Sequence, residues 1–390
     1  MRNANHSGRG EGSRGRIIGT GLIGLLLVIV PPAVGYIFGA DVVPGGESAA
    51  ASARQLLREA HAQSQQAQTL EDYATIIELC RRAVRGPLSD NLTDYAGKLQ
   101  AWAYNQRGEY YARQAAELMQ AGQRDAARSL DRLAREEFVA AIELHPDYWK
   151  ALHNRGVSRA LTGQLDAAAA DFSRAIGLKP DYANSWFNRG EIHRLQGRWE
   201  AAIADYTRAA ELDARDVDTL LRRGETYLQR GQLTQALADF QRAVELQPDH
   251  VEALVQRAEV HRRLGRWERA ALDYEQALHH DPESAAAYRG AAWLLATCPD
   301  PETRDAELAL RAAQQALELL GPNDATAWDA LAAAWANQGR FDQARQAAAK
   351  AVQLAPRAQQ AAVRGRLELY QKNQPFREAP ARVARAGETR

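Results

Sequence analysis

A 34-residue period runs through the middle of this chain and narrows its fold more than any other feature. Glycine stands at 156, 190 and 224, with Ala258 next in the series, and a second glycine stands at 163, 197, 231 and 265. Alanine recurs at 168, 202, 236 and 270 and again at 175, 209, 243 and 277, with Phe172, Tyr206, Phe240 and Tyr274 between them. Proline closes three of these units, at 180, 248 and 282, and Ala214 closes the other. Each period holds two stretches with apolar residues at helical spacing, Leu152 to Leu161 and Asp166 to Leu178 in the first. Gly163 falls where the first helix must stop and reverse, a conformation glycine adopts without a Cβ penalty. Small residues such as Gly156, Ala168 and Ala175 let two helices approach, and Phe172 fills the space beside them. Pro180 ends the second helix. A pair of this kind cannot bury its own apolar face and must stack on its neighbour. The predicted fold class is all-α, a solenoid of antiparallel helix pairs.

Trp186 and Trp328 occupy a tryptophan place in the first helix, Tyr227 a tyrosine place, and the small, aromatic and proline places are filled as above. In these residues the chain resembles the tetratricopeptide repeat family, whose pattern reads W-x-x-L-G-x-x-Y…A…F…A…P over about 34 residues. The resemblance covers residues 101–356. It implies a right-handed superhelix with the first helices lining a concave face, and a role in holding peptides or other proteins. Family-like groove positions are Lys150, His153, Asn154, Asn184, Phe187, Asn188, Glu191, Leu221, Arg222, Glu225, Gln256, Glu259 and Arg262. Their amides, aromatic ring and mixed charges suit an extended peptide held by several modest contacts. Some family members grip a C-terminal carboxylate through a lysine–asparagine–asparagine–lysine–arginine set. The matching positions here are His153, Val157, Asn188, Asp218 and Arg222, and only Asn188 and Arg222 agree.

Charge is unevenly laid along a chain whose 49 basic and 49 acidic side chains balance. Residues 1–16 and the last 19 residues each carry +3, which leaves −6 between them. An acidic middle without a basic stripe argues against nucleic-acid binding. Residues 17–40 carry no charge, and 24 residues at about 1.5 Å each are enough to span a hydrocarbon core of about 30 Å. Arg2, Arg9, Arg14 and Arg16 precede that stretch and Asp41 and Glu47 follow it, so an uncleaved anchor places the N-terminus in the cytoplasm and the repeats outside. The alternative is a signal peptide with an apolar core at 17–30, cleaved after Gly35 to give a secreted or periplasmic protein. The apolar run continues past Pro31-Pro32 and favours the anchor; either reading exports the repeats.

The expected organisation follows in order. Residues 1–16 form a basic cytoplasmic tail, 17–40 the anchor or signal sequence, and 41–52 a flexible linker. Residues 53–86 make an atypical leading helix pair, with Thr69 and Asp72 placed to cap its second helix. The unit 92–146 is elongated: Phe138 follows Gly108 by 30 positions, where Phe172 follows Gly156 by 16. Split evenly, that excess adds about two turns to each helix and carries the Gly122 turn about 10 Å beyond the stack, either as a plain lengthening or as a hairpin that touches a partner. Regular units follow at 149–182, 183–216, 217–250 and 251–284. Residues 285–322 form a variant with a longer Pro-rich turn, and 325–356 are regular again. Residues 357–370 make a capping helix with Arg364, Arg366 and Glu368 outward, and 371–390 a disordered basic tail.

One set of residues emerges only when the units are laid over one another. The residue before the small first-helix position is Arg107, Arg155, Arg189, Arg223 or Arg257, and the residue before the second-helix aromatic is Glu137, Asp171, Asp205, Asp239 or Asp273. The last two units lose both, with Ala291 and Leu331 in the first place and Ala312 and Ala347 in the second, although Arg289-Gly290 restores the arginine if that unit slips by two. Joint presence and joint loss predict a partly buried ion pair between the two helices of each unit. Chemical motifs are otherwise absent. There is no nucleophile elbow, zinc-protease helix, phosphate loop or paired CxxC, and no metal or cofactor is expected. Cys80 and Cys298 stand alone, and His279-His280-Asp281 falls at a helix end. The function expected is a non-catalytic, membrane-tethered scaffold for protein or peptide partners, with a regulatory or substrate-recruiting subunit of an envelope enzyme complex as the alternative.

Overall fold

The computed structural model describes residues 47–381. The expected basic tail 1–16, the membrane segment 17–40 and the first part of the linker lie outside the described residues, as does 382–390. Among the described residues there are seventeen α-helices and no strand, in agreement with the all-α class. None of these helices is long and apolar enough to cross a membrane. The chain divides into two units, Met1–Asp213 and Ala214–Arg390.

The first unit opens with α1 (Glu47–Ser64) and α2 (Leu70–Ala83). Residues 47–52 therefore belong to a helix and not to the linker. Their alanines favour helix, and the burial of Ala53, Leu57 and Ala60 just beyond carries it onward. Thr69 caps α2 as expected from its spacing: its hydroxyl accepts from the Asp72 amide at 3.2 Å, and Asp72 Oδ2 accepts from the Thr69 amide at 2.9 Å. Next come α3 (Asp90–Gln120) and α4 (Arg124–Leu144), followed by the regular helices α5 (Trp149–Leu161), α6 (Leu165–Leu178), α7 (Ala183–Leu195) and α8 (Trp199–Leu212). Gln120 ends α3 twelve residues past Gly108, where Leu161 ends α5 five past Gly156. Arg124 starts α4 fourteen residues before Phe138, where Leu165 starts α6 seven before Phe172. The excess is thus split evenly, and the tip around Met119 and Gly122 is exposed. The N-terminal part of α3 packs through Leu92, Tyr95 and Leu99 against Leu57, Tyr73 and Ile76 of α1 and α2.

No single core fills this unit. Small cores follow one another, one around Ala101, Ala141, Leu152 and Ala175, the next around Val157, Phe172 and Ile192, and another around Phe187, Ala202 and Tyr206. Two of them draw on three or more helices, which is how stacked pairs bury what one pair cannot. Within a unit the approach is close: a Cβ on Gly190 would lie 2.8 Å from Tyr206 Cε1. The turn glycine Gly163 has φ +78°, in the left-handed region where a side chain is penalised.

The second unit contains α9 (Val217–Gln229), α10 (Leu233–Leu246), α11 (Val251–Arg263), α12 (Trp267–His280), α13 (Ala285–Thr297), α14 (Ala306–Leu320), α15 (Ala325–Asn337), α16 (Phe341–Leu354) and α17 (Arg357–Gln371). In the variant repeat, Arg304 Nη1 donates to the Cys298 and Pro299 carbonyls at 2.8 Å each, and Asp305 accepts from the Glu307 and Leu308 amides to cap α14. Gly290 faces Tyr274 of the preceding pair, while Ala292 packs among Ala309, Ala312 and Ala313. The register therefore does not slip, and Arg289 donates to Thr326 Oγ1 at 3.2 Å, not to a carboxylate.

Two expectations for the C-terminal region are corrected. Arg366 does not face outward: it holds the buried Asp329 carboxylate through two hydrogen bonds, and its guanidinium lies 5.0 Å from the Trp293 ring centre. Asp329 stands outside the two regular places, which Leu331 and Ala347 fill in this unit, and α17 supplies its cation. The described part of the tail, 372–381, is not disordered: Lys372 and Asn373 form a turn and residues 375–378 are half-buried against helix ends. Asn373 (φ 58°) reverses the chain after α17, with the Gln374 amide donating to the Leu369 carbonyl at 2.9 Å, a helix-ending motif in which asparagine stands in for glycine. The segment then runs back over the ends of α15, α13 and α11, where side-chain and backbone partners offset the entropy of ordering it.

Candidate partner-binding walls

The first helices of each unit carry the expected groove residues, and the structure sorts these into distinct roles. The five arginine–acid pairs come first because they fix each first helix against its second. Arg107 donates through Nε and Nη2 to both oxygens of Glu137 at 2.9 and 2.8 Å. Arg155 holds Asp171 (2.9 and 2.7 Å), Arg189 holds Asp205 (2.9 and 2.7 Å), Arg223 holds Asp239 (2.9 and 2.7 Å) and Arg257 holds Asp273 (2.9 and 2.6 Å) in the same two-pronged way. Arg159 adds a third donor to Asp171 at 2.7 Å. Burial pushes the Asp239 carboxyl above its usual range, against the pull of Arg223.

On the first unit's wall, His153 is interior. Its Nδ1 lies 2.9 Å from Ser185 Oγ, its ring packs on Phe172 and Tyr182, and burial lowers its pKa to about 3. Asn154 donates to Asn105 Oδ1 at 3.0 Å and Glu109 Oε1 at 2.9 Å, and Asn105 donates to Glu109 at 2.8 Å. Burial raises the pKa of this Glu109 carboxyl. Lys150 lies over the Trp149 ring, and Asn184 donates to the Tyr182 hydroxyl at 3.4 Å. Phe187 packs on Tyr206, whose hydroxyl donates to the fully buried Glu191; Arg194 holds that carboxylate at 3.2 and 2.9 Å. Asn188 stands apart. It is 3 % exposed, and neither its amide nitrogen nor its oxygen has a hydrogen-bond partner. Two residues before Gly190 on α7, it is rotated about 200° from the side that meets Tyr206, so it turns away from its own second helix.

On the second unit's wall, Leu221 is buried and Arg222 donates to Glu225 at 2.9 Å. Gln256 is half-buried on α11. Glu259 accepts from Arg262 and Arg263, and Arg262 also pairs with Glu378 of the C-terminal segment. Burial alone would lower the pKa of the Arg262 guanidinium, but Glu259 and Glu378 outweigh it and hold the charge in place. Asn105 and Glu109, absent from the expected set, belong to the first unit's polar network. Their signal was a glutamate directly after the small first-helix position, found at 109, 191, 225 and 259. Cys80 and Cys298 are buried free thiols, and burial pushes Cys80 up to about 12. Among the described residues no group of three or more His, Cys, Asp or Glu is placed to hold a metal ion.

Two family models, each described as tetratricopeptide repeat, match this chain, one at residues 112–183, 162–217, 221–285 and 255–298 and the other at 325–358. The chain belongs to the tetratricopeptide repeat family. Solved structures similar to this repeat protein include YrrB, described as a repeat protein of the same family with an unusual peptide-binding site (23% identity, 50% of this chain and 96% of that one, TM-score 0.43). Others are a tetratricopeptide repeat protein from Parabacteroides merdae (18% identity, 68% and 98%, TM-score 0.49) and pilF of Pseudomonas aeruginosa (17% identity, 57% and 96%, TM-score 0.47). No curated protein matches the sequence.

Proposed function

We propose that this tetratricopeptide repeat protein is a non-catalytic scaffold that holds extended segments of partner proteins along its first-helix walls, with residues 17–40 tethering it to a membrane. The orphaned carboxamide of Asn188 carries the reading. A primary amide offers two donors and an acceptor with two lone pairs, and burying such a group without partners costs about 1–3 kcal/mol. Both amide atoms are closed to solvent in the free protein, so a peptide backbone laid across the wall completes them only as the side chain turns outward to meet its carbonyl and amide. The wall charges support the same reading: Glu191, Glu225 and Glu259 are neutralised by Arg194, Arg222 and Arg262 on their own helices, leaving a polar surface of low net charge.

Asn188→Ala removes the orphaned group, so the free protein should melt at the same temperature or slightly higher while partner binding is lost. Pull-downs from detergent-solubilised membranes with wild type and Asn188→Ala test this, and recovery of every partner in equal amounts by both would discredit the assignment. Membrane tethering rests on the uncharged run 17–40 and the arginines before it. The full-length chain should stay in the membrane pellet at alkaline pH and its repeats should be digested by protease added from outside the cytoplasm. Repeats protected from that protease would sink the proposed orientation.

A further inference from the structure

The second unit's wall already carries a peptide, and the contacts show what kind it accepts. The Glu378 amide donates to the Thr297 carbonyl at 2.9 Å and the Ala381 amide to the Arg263 carbonyl at 2.7 Å. Both acceptors lie at the C-terminal end of a first helix, where carbonyls have no partner within the helix. Arg377 donates to the Ala296 carbonyl at 3.0 Å and to Asn337 Oδ1 at 2.9 Å. Glu378 pairs with Arg262 and accepts from the Trp293 indole at 3.2 Å. Phe376 packs on Trp293 with ring centres 5.8 Å apart, and the Arg366 guanidinium lies 5.6 Å from its ring centre. Side chains at 376, 377 and 378 are thus read one by one, by an aromatic face, a carbonyl–amide pair and a buried cation. None of these contacts requires that the segment belong to the same chain.

We propose that the wall built by α11, α13 and α15 is a binding site for extended peptides with consecutive aromatic, basic and acidic side chains, and that residues 374–381 are its resident occupant, which a partner segment must displace. This rests on the reading of first-helix walls as peptide-holding surfaces and names the ligand class and the competitor at one of them. Selectivity comes from Arg262, only 8 % exposed: among the described residues, an occupant without the carboxylate leaves Glu259 as the one carboxylate paired with its guanidinium. Competition comes from tethering, because a segment joined to α17 by a short turn acts at an effective concentration of about millimolar. Residues 379–381 are exposed, so the far end of the occupant is open to replacement.

The test uses the full-length chain in detergent and a fluorescent peptide spanning Lys372–Ala381, read by anisotropy. Wild type should bind the peptide at least tenfold more weakly than a Phe376→Ala, Glu378→Gln variant, in which the resident segment is released. Adding Arg262→Gln to that variant should cost a further tenfold. Because a buried substitution can disturb folding, the same loss is also sought with peptides carrying Phe376→Ala or Glu378→Gln against the unaltered released protein. Equal binding to wild type and released protein, or no binding to the released protein, would overturn the proposal. So would a concentration-dependent dimer that the peptide dissociates, since the occupant would then come from a second copy. Asn188→Ala should leave this binding unchanged, so failure at either wall is distinguishable from failure at the other.

Discussion

At the scale of single residues, charge geometry joins apolar contact in fixing the two helices of a pair against each other. Arg189 and Asp205 show it: the carboxylate side chain is 6 % exposed and meets the guanidinium edge on. Removing either partner strands a buried charge at a cost of about 3 kcal/mol, whereas removing both is far milder. A double-mutant cycle of Arg189→Ala and Asp205→Ala should therefore return a coupling of about 3 kcal/mol or more, and additive melting would refute the pairing. Gly190→Ala sets two opposing effects against each other. Alanine gains about 1 kcal/mol in helix propensity, but its Cβ collides with Tyr206, which is fully buried and bonded to Glu191 and cannot swing aside. Chemical denaturation should show net destabilisation. His153 supplies a pH dependence with a definite sign. Its folded pKa of about 3 lies below the unfolded value of about 6.5, so as pH falls through that window only the unfolded chain gains the proton. Stability present above about pH 6.5 is lost toward acid, with a slope near 1.4 kcal/mol per pH unit around pH 5 from this residue. Urea midpoints at pH 7 and 5 should converge in His153→Gln relative to wild type.

At the scale of elements, the elongated repeat is a regular one with an insert in each helix. Ala101–Arg113 and Asp131–Leu144 fall in register with α5 and α6, so removing 114–120 and 124–130 leaves Ala121-Gly122-Gln123 where Thr162-Gly163-Gln164 makes the regular turn. The inserted helices bury little beyond Ala115 and Ala127. The shortened protein should keep its helical circular dichroism and melt within a few degrees of wild type; collapse of the fold would show that the hairpin is structural. The repeat period made the ion pairs legible, because four of the five recur at a separation of 16 residues within one unit. It gave no sign of the Arg366–Asp329 pair, which spans 37 residues and occurs between a capping helix and the first helix of another pair. A contact made once leaves no periodic trace, and an arginine on an amphipathic helix reads as solvent-facing until its neighbour is known.

At the scale of the whole molecule, stability in a repeat protein is a sum of local terms and interfaces between neighbouring repeats. A core substitution such as Phe172→Leu should raise hydrogen exchange in α5 to α8 and leave protection in α13 to α16 unchanged. Uniform loss of protection would mean a single cooperative core. The C-terminal segment belongs to this scale as well, since its seat depends on where the ends of α11, α13 and α15 lie, and its composition of proline, charge and alanine reads as unstructured by itself.

What the sequence alone determined is whatever repeats: two helices per period, a glycine reversal between them, an aromatic against a small residue, and an arginine that comes and goes with an acid. These follow from local spacing, because the residues involved sit at fixed offsets within one unit. The tertiary structure alone decided which wall residues are sealed inside, leaving Asn188 without a partner while Asn154 joins Asn105 and Glu109. It also decided that a charged tail finds ordered seats for Phe376, Arg377 and Glu378. Those outcomes depend on surfaces assembled from distant parts of the chain, and only the stacking of the helix pairs brings such surfaces together.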